Sequence, residues 1–382
     1  MRVVLVIGTR PELIKLAPVA RAFAERGVQA HLLLTGQHPS LDLRAAGLAG
    51  FPNSRLQLDL TGLEPLDAAE AIARGCEAAL RPQSPDWVLV QGDTTSALGG
   101  ALGAARSGFK LAHVEAGLRT GDPGQPWPEE PFRIQIDRIS DLLFAPTPLA
   151  RDNLLSEGAR GALFVTGNTG IDAFRELREN TAIDPSSSEE PPLVLLTVHR
   201  RENLEAMPAI AEGLRRAARA CAFRPVLITH PNPGTAERAR RAFAPVSNLE
   251  LLPPRSPEEM LQLLNRARVV ASDSGGISEE APTLGVPLLI LRDKTERPEA
   301  VTAGNAMLVG CCPDRIASGL TAILTDKDVH AAMAVPRDLF GDGHAAGRIA
   351  DALLAYSARR DQTHRPSRHD RRVRRQAPAL TA

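Results

Sequence analysis

A glycine-rich turn stands between a predicted strand and a predicted helix at Asp273-Ser274-Gly275-Gly276. At such a turn the first backbone N–H groups of the helix are free to bind an anion, and the helix dipole adds a positive potential. Two carboxylates, Glu279 and Glu280, follow within the first turns of the helix, where a carboxylate could reach a ribose hydroxyl beside the phosphates. The pattern predicts a site for the phosphate or diphosphate group of a nucleotide, although many nucleotide-binding α/β proteins share it.

Reactive side chains also follow the predicted strands elsewhere in the chain. Ligands of open parallel sheets bind beyond the carboxyl ends of the strands, so these positions are expected to share one cleft. A single residue of this kind, such as Asp93 or Ser274, is more often a helix cap than a functional group. Helix capping alone is a poor explanation when about six strand ends in a row are followed by reactive side chains. We therefore expect a functional cleft that contains Arg10, Lys15, Asp93, Glu115, His199, Arg200 and His230.

The residue types at these positions fit a reaction on a nucleotide sugar. Arginine offers paired donors and lysine a point charge, so Arg10, Lys15 and Arg297 suit a diphosphate. Cleft carboxylates could act as general acid or base, and His199 could shuttle a proton or donate to a departing phosphate. The sequence contains no HExxH motif, no DxD at a strand end and no GxGxxG after the first predicted strand. We therefore expect neither a metal nor a nicotinamide cofactor.

The elements that position these residues follow one pattern along the chain. Short apolar runs alternate with amphipathic helical stretches, which is typical of parallel βαβ units and predicts an α/β protein. The predicted strands of the first half are Val3–Ile7, His31–Leu34, Trp87–Val90, Leu111–Val114, Leu142–Phe144 and Leu163–Val165. Those of the second half are Leu193–Thr197, Pro225–Ile228, Leu249–Leu252, Val269–Ala271 and Leu288–Leu291.

A polar, proline-rich segment separates these two sets of strands. We predict an N-terminal Rossmann-like domain over residues 1–180, a linker over 181–192 and a C-terminal nucleotide-binding domain over 193–344. A final helix over 345–358 is expected to return to the first domain. The arginine-rich tail, 359–382, has little apolar content, which predicts disorder. Two such domains would face each other across a central cleft.

The composition narrows the function classes further. The 382 residues include 45 basic and 45 acidic side chains, so no global charge favours nucleic acid or a membrane surface as partner. The four cysteines, Cys76, Cys221, Cys311 and Cys312, have no CxxC spacing, which favours reduced thiols. The N-terminal apolar run is too short for a signal peptide, and no stretch reaches the length of a membrane span. We expect a cytoplasmic protein.

Several motifs resemble those of the non-hydrolysing UDP-N-acetylglucosamine 2-epimerases. The resemblance implies a GT-B-like fold of two Rossmann-like domains, with the nucleotide held mainly by the second. It also implies a mechanism in which UDP leaves carbon 1 as the proton on carbon 2 is removed, and then adds back to a 2-acetamidoglucal intermediate. The motifs include GTRPELIKLAPV (8–19), GDTTSAL (92–98), HVEAGLRTGD (113–122), WPEE (127–130), HRRENL (199–204), DSGGISEEAPTLGVP (273–287) and LRDKTERPEAVTAG (291–304).

The resemblance assigns expected roles to individual residues. Asp93, Glu115 and Glu129 would be the acid/base carboxylates, and His199 would assist the departure of UDP. Without the resemblance, Glu129 would be read as part of an exposed loop. The substrate and UDP would be bound by Arg10, Lys15, His230, Met260, Ser274, Gly275, Gly276, Glu280 and Arg297.

The chain departs from the family pattern at several positions. Phe132 stands where the family usually has asparagine, and Ser278 stands where it usually has glutamine. The segment 254–260 lacks the aromatic residues expected near uracil, although Met260 could cover a face of the base.

The resemblance also implies a second, activating substrate site. Gln37, Arg201 and His230 match it, but an arginine expected in the following loop has no counterpart in residues 59–62. Activation by substrate is therefore predicted to be weak or absent.

Other readings of the sequence stay open. A GT-B glycosyltransferase would share the diglycine turn, and a hydrolysing epimerase would release N-acetylmannosamine. A modified UDP-sugar could be the substrate, and a binding protein without activity would retain nucleotide affinity. The resemblance also suggests a homodimer with a role in polysaccharide biosynthesis.

Overall fold

The computed structural model describes residues 1–182 and 191–363, without the side chains of Arg201 and of residues 360–363. Most of the predicted linker, residues 183–190, lies outside the described residues. So does the predicted tail beyond residue 363.

The first half of the chain forms one parallel sheet of seven strands. Its order is β3-β2-β1-β4-β5-β6-β7, so the chain begins in the middle and winds outward in both directions. The strands are β1 (Arg2–Ile7), β2 (Gln29–Leu34), β3 (Asn53–Arg55), β4 (Trp87–Gln91), β5 (Lys110–Val114), β6 (Leu142–Ala145) and β7 (Ala162–Val165).

The second half forms a parallel sheet of six strands in the order β10-β9-β8-β11-β12-β13. The predicted strands all occur, and the sequence analysis missed β3 and β13. The strands are β8 (Leu193–Thr197), β9 (Arg224–Ile228), β10 (Glu250–Leu252), β11 (Val269–Ser272), β12 (Leu288–Ile290) and β13 (Ala306–Leu308).

Helices connect the strands and cover both faces of each sheet, which is why the central strands read as continuous apolar runs. In the first half they are α1 (Arg10–Glu25), α2 (Pro65–Gln83), α3 (Thr95–Arg106), α4 (Glu129–Ile139), α5 (Pro148–Ser156) and α6 (Thr169–Asn180). In the second half they are α7 (Met207–Ala220), α8 (Pro233–Phe243), α9 (Pro257–Arg266), α10 (Gly275–Leu284), α11 (Glu299–Thr302), α12 (Pro313–Thr325), α13 (Lys327–Met333) and α14 (Ala345–Thr363), together with a 3₁₀ turn at Arg201–Asn203.

The last helix, α14, returns to the first half of the chain. Ile349 and Leu353 are fully buried in the same core as Val3 of β1 and Phe23 of α1. The α14 N-terminus is capped by Asp172 of α6, whose carboxylate accepts from the N–H groups of residues 345 and 346 at 3.0 and 2.7 Å. The described part of α14 thus packs against the core of the first half of the chain.

The carboxyl end of β1 packs so tightly against its neighbours that only glycine fits at position 8. A Cβ atom on Gly8 would lie 1.7 Å from Ser96 Oγ and 2.4 Å from Thr35 Oγ1. Directly afterwards Thr9 caps α1, and Glu12 accepts from the N–H groups of Gly8 and Thr9 at 2.7 and 2.6 Å. This capping box fixes the start of α1, the helix that carries Arg10 and Lys15.

Candidate functional site

The carboxyl ends of the two sheets border a cavity of about 410 Å³ that receives side chains from both halves of the chain. Three predicted catalytic residues, Asp93, Glu129 and His199, lie in its wall, whereas Glu115 does not. The lining consists of Gln37, Pro65, Asp93, Thr94, Thr95, Trp127, Pro128, Glu129, Arg133, His199, Arg200 and Glu202.

The carboxylate of Asp93 is anchored by Arg133 of α4. The guanidinium donates to Asp93 Oδ2 from Nε at 3.0 Å and also from Nη2. Arg133 is itself buried and pairs with Glu130 at 2.8 Å. Two donors on one oxygen hold the side chain in place. Asp93 is thus a fixed carboxylate at the wall of the cavity.

Glu129 stands in a contrasting environment at the first position of α4. Its Oε2 atom is buried and has no hydrogen-bond partner among the described residues. Burial and the nearby charge of Asp93 raise the pKa of Glu129 above its usual range. Contrary to the impression of an exposed loop, the segment delivers a partly buried carboxyl group to the cavity.

Phe132 and Ser278, the two departures from the family pattern, do not face the cavity. Phe132 is fully buried in the core between α3, α4 and the first sheet. Ser278 donates from Oγ to the carbonyl of Ser274 at 3.0 Å, within its own helix. Neither side chain lines the cavity with Asp93, Glu129 and His199.

His199 is positioned by a loop that Asp273 ties to the glycine-rich turn. The Asp273 carboxylate accepts from the backbone N–H of His199 at 3.0 Å, from that of Arg200 at 2.9 Å and from Asn203 Nδ2 at 3.0 Å. His199 Nδ1 is buried and unpartnered among the described residues. Burial lowers the pKa of His199, which favours a neutral ring. A neutral imidazole can donate one hydrogen bond to a phosphate oxygen.

Glu115, Lys15 and Arg297 meet in a second, buried polar cluster beside the cavity. Lys15 donates to Glu115 Oε2, and Arg297 Nη2 lies 3.7 Å from Glu115 Oε1. A Cβ atom on Gly92 would lie 3.8 Å from Glu115 Oε1, so this oxygen faces the turn that carries Asp93. Glu115 has a φ of +73°, a backbone conformation that most residues avoid. Strained residues of this kind concentrate at functional sites.

Arg297 pairs with more than one carboxylate in this cluster. Its Nε donates to Glu279 Oε1 at 2.5 Å, and its Nη1 donates to Glu296. Burial alone would raise the pKa of Glu115, but the charges of Lys15 and Arg297 outweigh it and hold that pKa low. Glu296 is also buried, but the positive charges of Arg297, Arg292 and Arg200 keep its pKa well below the usual range.

The glycine-rich turn begins α10 close to this cluster. Ser274 caps the helix by accepting from the N–H of Ile277. A Cβ atom on Gly275 would lie 2.8 Å from Arg297 Nη1, whereas one on Gly276 would have nothing nearer than Glu280 Oε1 at 3.5 Å. A side chain at position 275 would therefore displace the guanidinium of Arg297. Gly276 leaves the helix N-terminus open to an anion.

Glu280 lines a separate cavity of about 450 Å³, together with Gly170, Phe174 and Pro257. Burial, and the adjacent Glu279, raise the pKa of Glu280 to about 7. Met260 of α9 is partly buried and packs against the hydrophobic core that contains Val270 and Leu288 of the second sheet.

The Glu280→Gln variant should be more stable than the wild type above pH 7. The pKa of Glu280 is about 7 in the folded protein against 4.5 for the model carboxyl. Between pH 4.5 and about 7 the folded state therefore holds a proton that the unfolded state has lost. The free energy of unfolding falls as the pH rises through this range. We expect a gain of about 1–3 kcal/mol at pH 8 and almost none at pH 4.5, measured by urea unfolding.

Glu258→Gln is the control for this variant. Backbone and side-chain hydrogen bonds lower the pKa of the exposed Glu258, so its replacement should give no gain at pH 8. An equal gain for Glu280→Gln at both pH values would contradict the titration argument.

The remaining predicted binding residues lie at separate places around the cavity. The Arg10 side chain is exposed, and its backbone N–H donates to His38 Nδ1 at 3.3 Å. Gln37 lines the cavity, where its Oε1 accepts from Ser96 N at 3.0 Å and Oγ at 2.6 Å. The ring of His230 lies 5.5 Å from that of His199. The side chain of Arg201 lies outside the described part of the structure.

Two buried groups were missed by the sequence analysis. His113 has Nδ1 at 2.6 Å from Asp137 Oδ1 and Nε2 at 2.8 Å from the carbonyl oxygen of Gly92. It therefore supports the turn that carries Asp93. The other group is Asn168, which bonds to both Glu115 and Glu279. His113 belongs to the motif at residues 113–122, which was its only sequence signal.

Within the described residues there is no cluster of three or more histidine, cysteine, aspartate or glutamate residues suited to hold a metal ion. No helix in the described ranges has the length and apolar character needed to cross a membrane.

Comparison with known proteins gives a consistent result. The family model described as UDP-N-acetylglucosamine 2-epimerase matches residues 21–354. The UDP-N-acetylglucosamine 2-epimerase of Escherichia coli K12 is 38% identical over 371 residues, covering 92% of this chain and 98% of the relative.

Solved structures agree with the sequence comparison. The UDP-GlcNAc 2-epimerase from Neisseria meningitidis bound to UDP-GlcNAc is 34% identical, with a TM-score of 0.86 over 93% of this chain and 100% of that one. Acinetobacter baumannii MurG, 16% identical with a TM-score of 0.60 over 93% of this chain and 99% of that one, shares the fold. The predicted fold, α/β and GT-B-like with two parallel sheets, is confirmed.

Proposed function

The chain belongs to the UDP-N-acetylglucosamine 2-epimerase family, an isomerase family, and we propose that it works by elimination and re-addition of UDP. In this reaction a base removes the proton from carbon 2 as UDP leaves carbon 1, giving 2-acetamidoglucal. An acid then returns a proton to the opposite face of carbon 2, and UDP adds back. The product is UDP-N-acetylmannosamine, and the same steps run in reverse.

The contrast between Asp93 and Glu129 is the observation that supports this proposal. Both line one cavity, but Asp93 is paired with Arg133, whereas Glu129 has a buried oxygen without a partner among the described residues and a raised pKa. A carboxyl group with a raised pKa beside a carboxylate held by an arginine suits a reaction that needs both an acid and a base. Glu115, directed at the Asp93 turn, is the third acid/base carboxyl group in the proposal.

The nucleotide would occupy the side of the cleft that is formed by the second half of the chain. We assign the diphosphate to the open N-terminus of α10, with Ser274, Gly275 and Gly276, and to the cations Arg10, Lys15 and Arg297. His199 would donate to the phosphate oxygen that leaves carbon 1. Glu280 would accept from the ribose hydroxyls, and Met260 and His230 would lie near the remainder of the UDP-sugar.

Proton NMR of UDP-N-acetylglucosamine with the enzyme in deuterated water tests the reaction. Deuterium at carbon 2, together with the anomeric signal of UDP-N-acetylmannosamine, is expected. Free N-acetylmannosamine would instead indicate a hydrolysing epimerase. UDP binding without exchange would indicate another UDP-sugar or a binding protein.

Activation by substrate at a second site is expected to be weak or absent. Gln37 is held by Ser96, and the loop at 59–62 offers no arginine to a second nucleotide sugar. Initial rates from UDP-N-acetylmannosamine should therefore rise by less than about twofold when trace UDP-N-acetylglucosamine is added. A steep rise with a lag-free progress curve would show that the second site works in this chain.

We further propose a cytoplasmic homodimer that supplies activated sugars for polysaccharide biosynthesis. The family membership and four unpaired cysteines support this assignment. We propose the domain boundaries expected from the sequence, with residues 1–180 and 345–358 in one domain and 193–344 in the other; the separation of the two sheets supports this division. Light scattering of the purified protein tests the dimer.

A further inference from the structure

Asn168, between β7 and α6, has every hydrogen-bonding atom of its side chain in use. Its Oδ1 accepts from the N–H of Gly170 at 2.8 Å and so caps α6. Its Nδ2 donates to Glu115 Oε2 at 2.8 Å and to Glu279 Oε1 at 2.9 Å. The residue is 2% exposed, so these contacts do not compete with water. One buried amide thus connects carboxylates from the two halves of the chain.

Few other side chains could make these three bonds. The cap requires an acceptor, and the two carboxylates require two donors on one short side chain. Aspartate would keep the cap but add a third carboxylate between the other two. Serine would keep a cap acceptor and offer a single hydrogen, which already limits it to one partner. The position is therefore specified by more than helix capping.

The contacts of Asn168 leave one Glu115 oxygen available for chemistry. Asn168 and Lys15 both donate to Oε2 of Glu115. Oε1 is left facing the Asp93 turn, with Arg297 Nη2 at 3.7 Å. Rotation of the carboxylate would break both bonds to Oε2, so these donors fix its orientation.

We propose that Asn168 is a positioning residue for Glu115 and that Glu279 makes this positioning depend on the nucleotide-binding half. Glu279 accepts the second hydrogen of the amide and pairs with Arg297, which borders the diglycine turn. Contact between the two halves thus holds the amide that, together with Lys15, orients the acid/base carboxylate. The inference rests on the proposed function, because it assigns Glu115 to the acid/base set.

The test compares Asn168→Ser and Asn168→Asp with the wild type. Loss of a donor to the ionised carboxylate raises the pKa of Glu115, and the added charge in Asn168→Asp raises it further. We expect kcat to fall about tenfold in the serine variant and about 100-fold or more in the aspartate variant, with UDP affinity changed less than about threefold in the serine variant. The acidic limb of the pH–rate profile should move to higher pH.

Asp326→Ala is the matched control for loss of a cap. Asp326 caps α13 by accepting from the N–H groups of residues 328 and 329 at 2.9 and 3.1 Å, away from the cleft. This variant should lose stability without a change in kcat or in the pH–rate profile.

A second pair of variants tests the role of Glu279. If Asn168 and Glu279 act as one unit, Asn168→Ser and Glu279→Gln should be non-additive, and the double variant should be little slower than the slower single variant. Full additivity would overturn the coupling.

Carboxyl NMR of ¹³C-labelled glutamate gives a readout that does not depend on turnover. The pKa of Glu115 should rise in Asn168→Ser. An unchanged Glu115 titration in the folded variant would overturn the inference even if the enzyme were active. Absence of exchange in the wild type, with that titration shifted, would contradict only the proposed reaction.

Discussion

Asp93→Asn should lower kcat for carbon-2 epimerisation by about 10³-fold, with little change in UDP affinity. An amide cannot exchange a proton with carbon 2, and a positioned acid/base group contributes about 10²–10⁴-fold to a rate. The amide keeps the shape of the side chain, so Arg133 still has an oxygen to which it can donate. The measurement is deuterium incorporation at carbon 2, with calorimetric titration of UDP as the check on binding.

The control for this variant lies at the other end of the same strand. Asp86 precedes β4 and accepts from the N–H of Arg2 at 2.7 Å, at the edge of the sheet opposite the cleft. Asp86→Asn should retain wild-type exchange.

Combining Asp93→Asn with Glu129→Gln should lower kcat by much less than the product of the two single losses, because the effects of residues that act as a unit are not additive. Exchange within about threefold of wild type in Asp93→Asn would remove Asp93 from the mechanism.

The sequence predicted most of the strands because parallel strands buried on both faces are apolar along their whole length. β3 was missed because Asn53–Arg55 is a polar edge strand of three residues, whose pairing with β2 is dictated by the sheet. β13, Ala306–Leu308, is also three residues long and follows a loop, so its apolar run was too short to stand out.

The site was predictable where its residues directly follow strands. Asp93 and His199 follow β4 and β8, and the strand-end argument places both at one cleft without knowledge of the family. Arg133 and His113 were not predictable in this way, since one lies inside a helix and the other inside a strand. Their importance comes from tertiary contacts to the Asp93 turn, which no local pattern reports.

The structure also changes the interpretation of Arg297. The sequence assigned this residue to the diphosphate of the nucleotide. In the folded chain it is buried among the carboxylates of Glu115, Glu279 and Glu296. A cation in this position holds acidic groups from both halves of the chain together, whether or not a diphosphate also binds to it.

Arg297→Met should accordingly destabilise the protein by about 3–5 kcal/mol at pH 8, since removal of one partner leaves a buried charge uncompensated. Glu279 is most affected, because Lys15 still pairs with Glu115, and Arg292 with Glu296. Burial raises the pKa of Glu279 even in the wild type, so this carboxyl group can take up a proton when pH falls. The loss should therefore be smaller at pH 5 than at pH 8, as measured by urea unfolding at both values.

Arg151→Met separates this effect from the loss of any arginine. Its guanidinium pairs with the neighbouring Asp152 on the surface at 2.7 Å, with 43% of the side chain exposed. Exposed pairs of this kind contribute about 0–1 kcal/mol, so this variant should unfold almost as the wild type does. If Arg297→Met also cost less than about 1 kcal/mol, the three carboxylates would have to be neutralised by protonation or by the remaining cations, Lys15 and Arg292. Arg297 would then act only on the nucleotide, and its loss would weaken UDP binding without a pH-dependent change in unfolding. The urea curves at pH 5 and pH 8, set beside UDP titrations of the same samples, therefore distinguish an arginine that maintains the domain interface from one that serves the ligand.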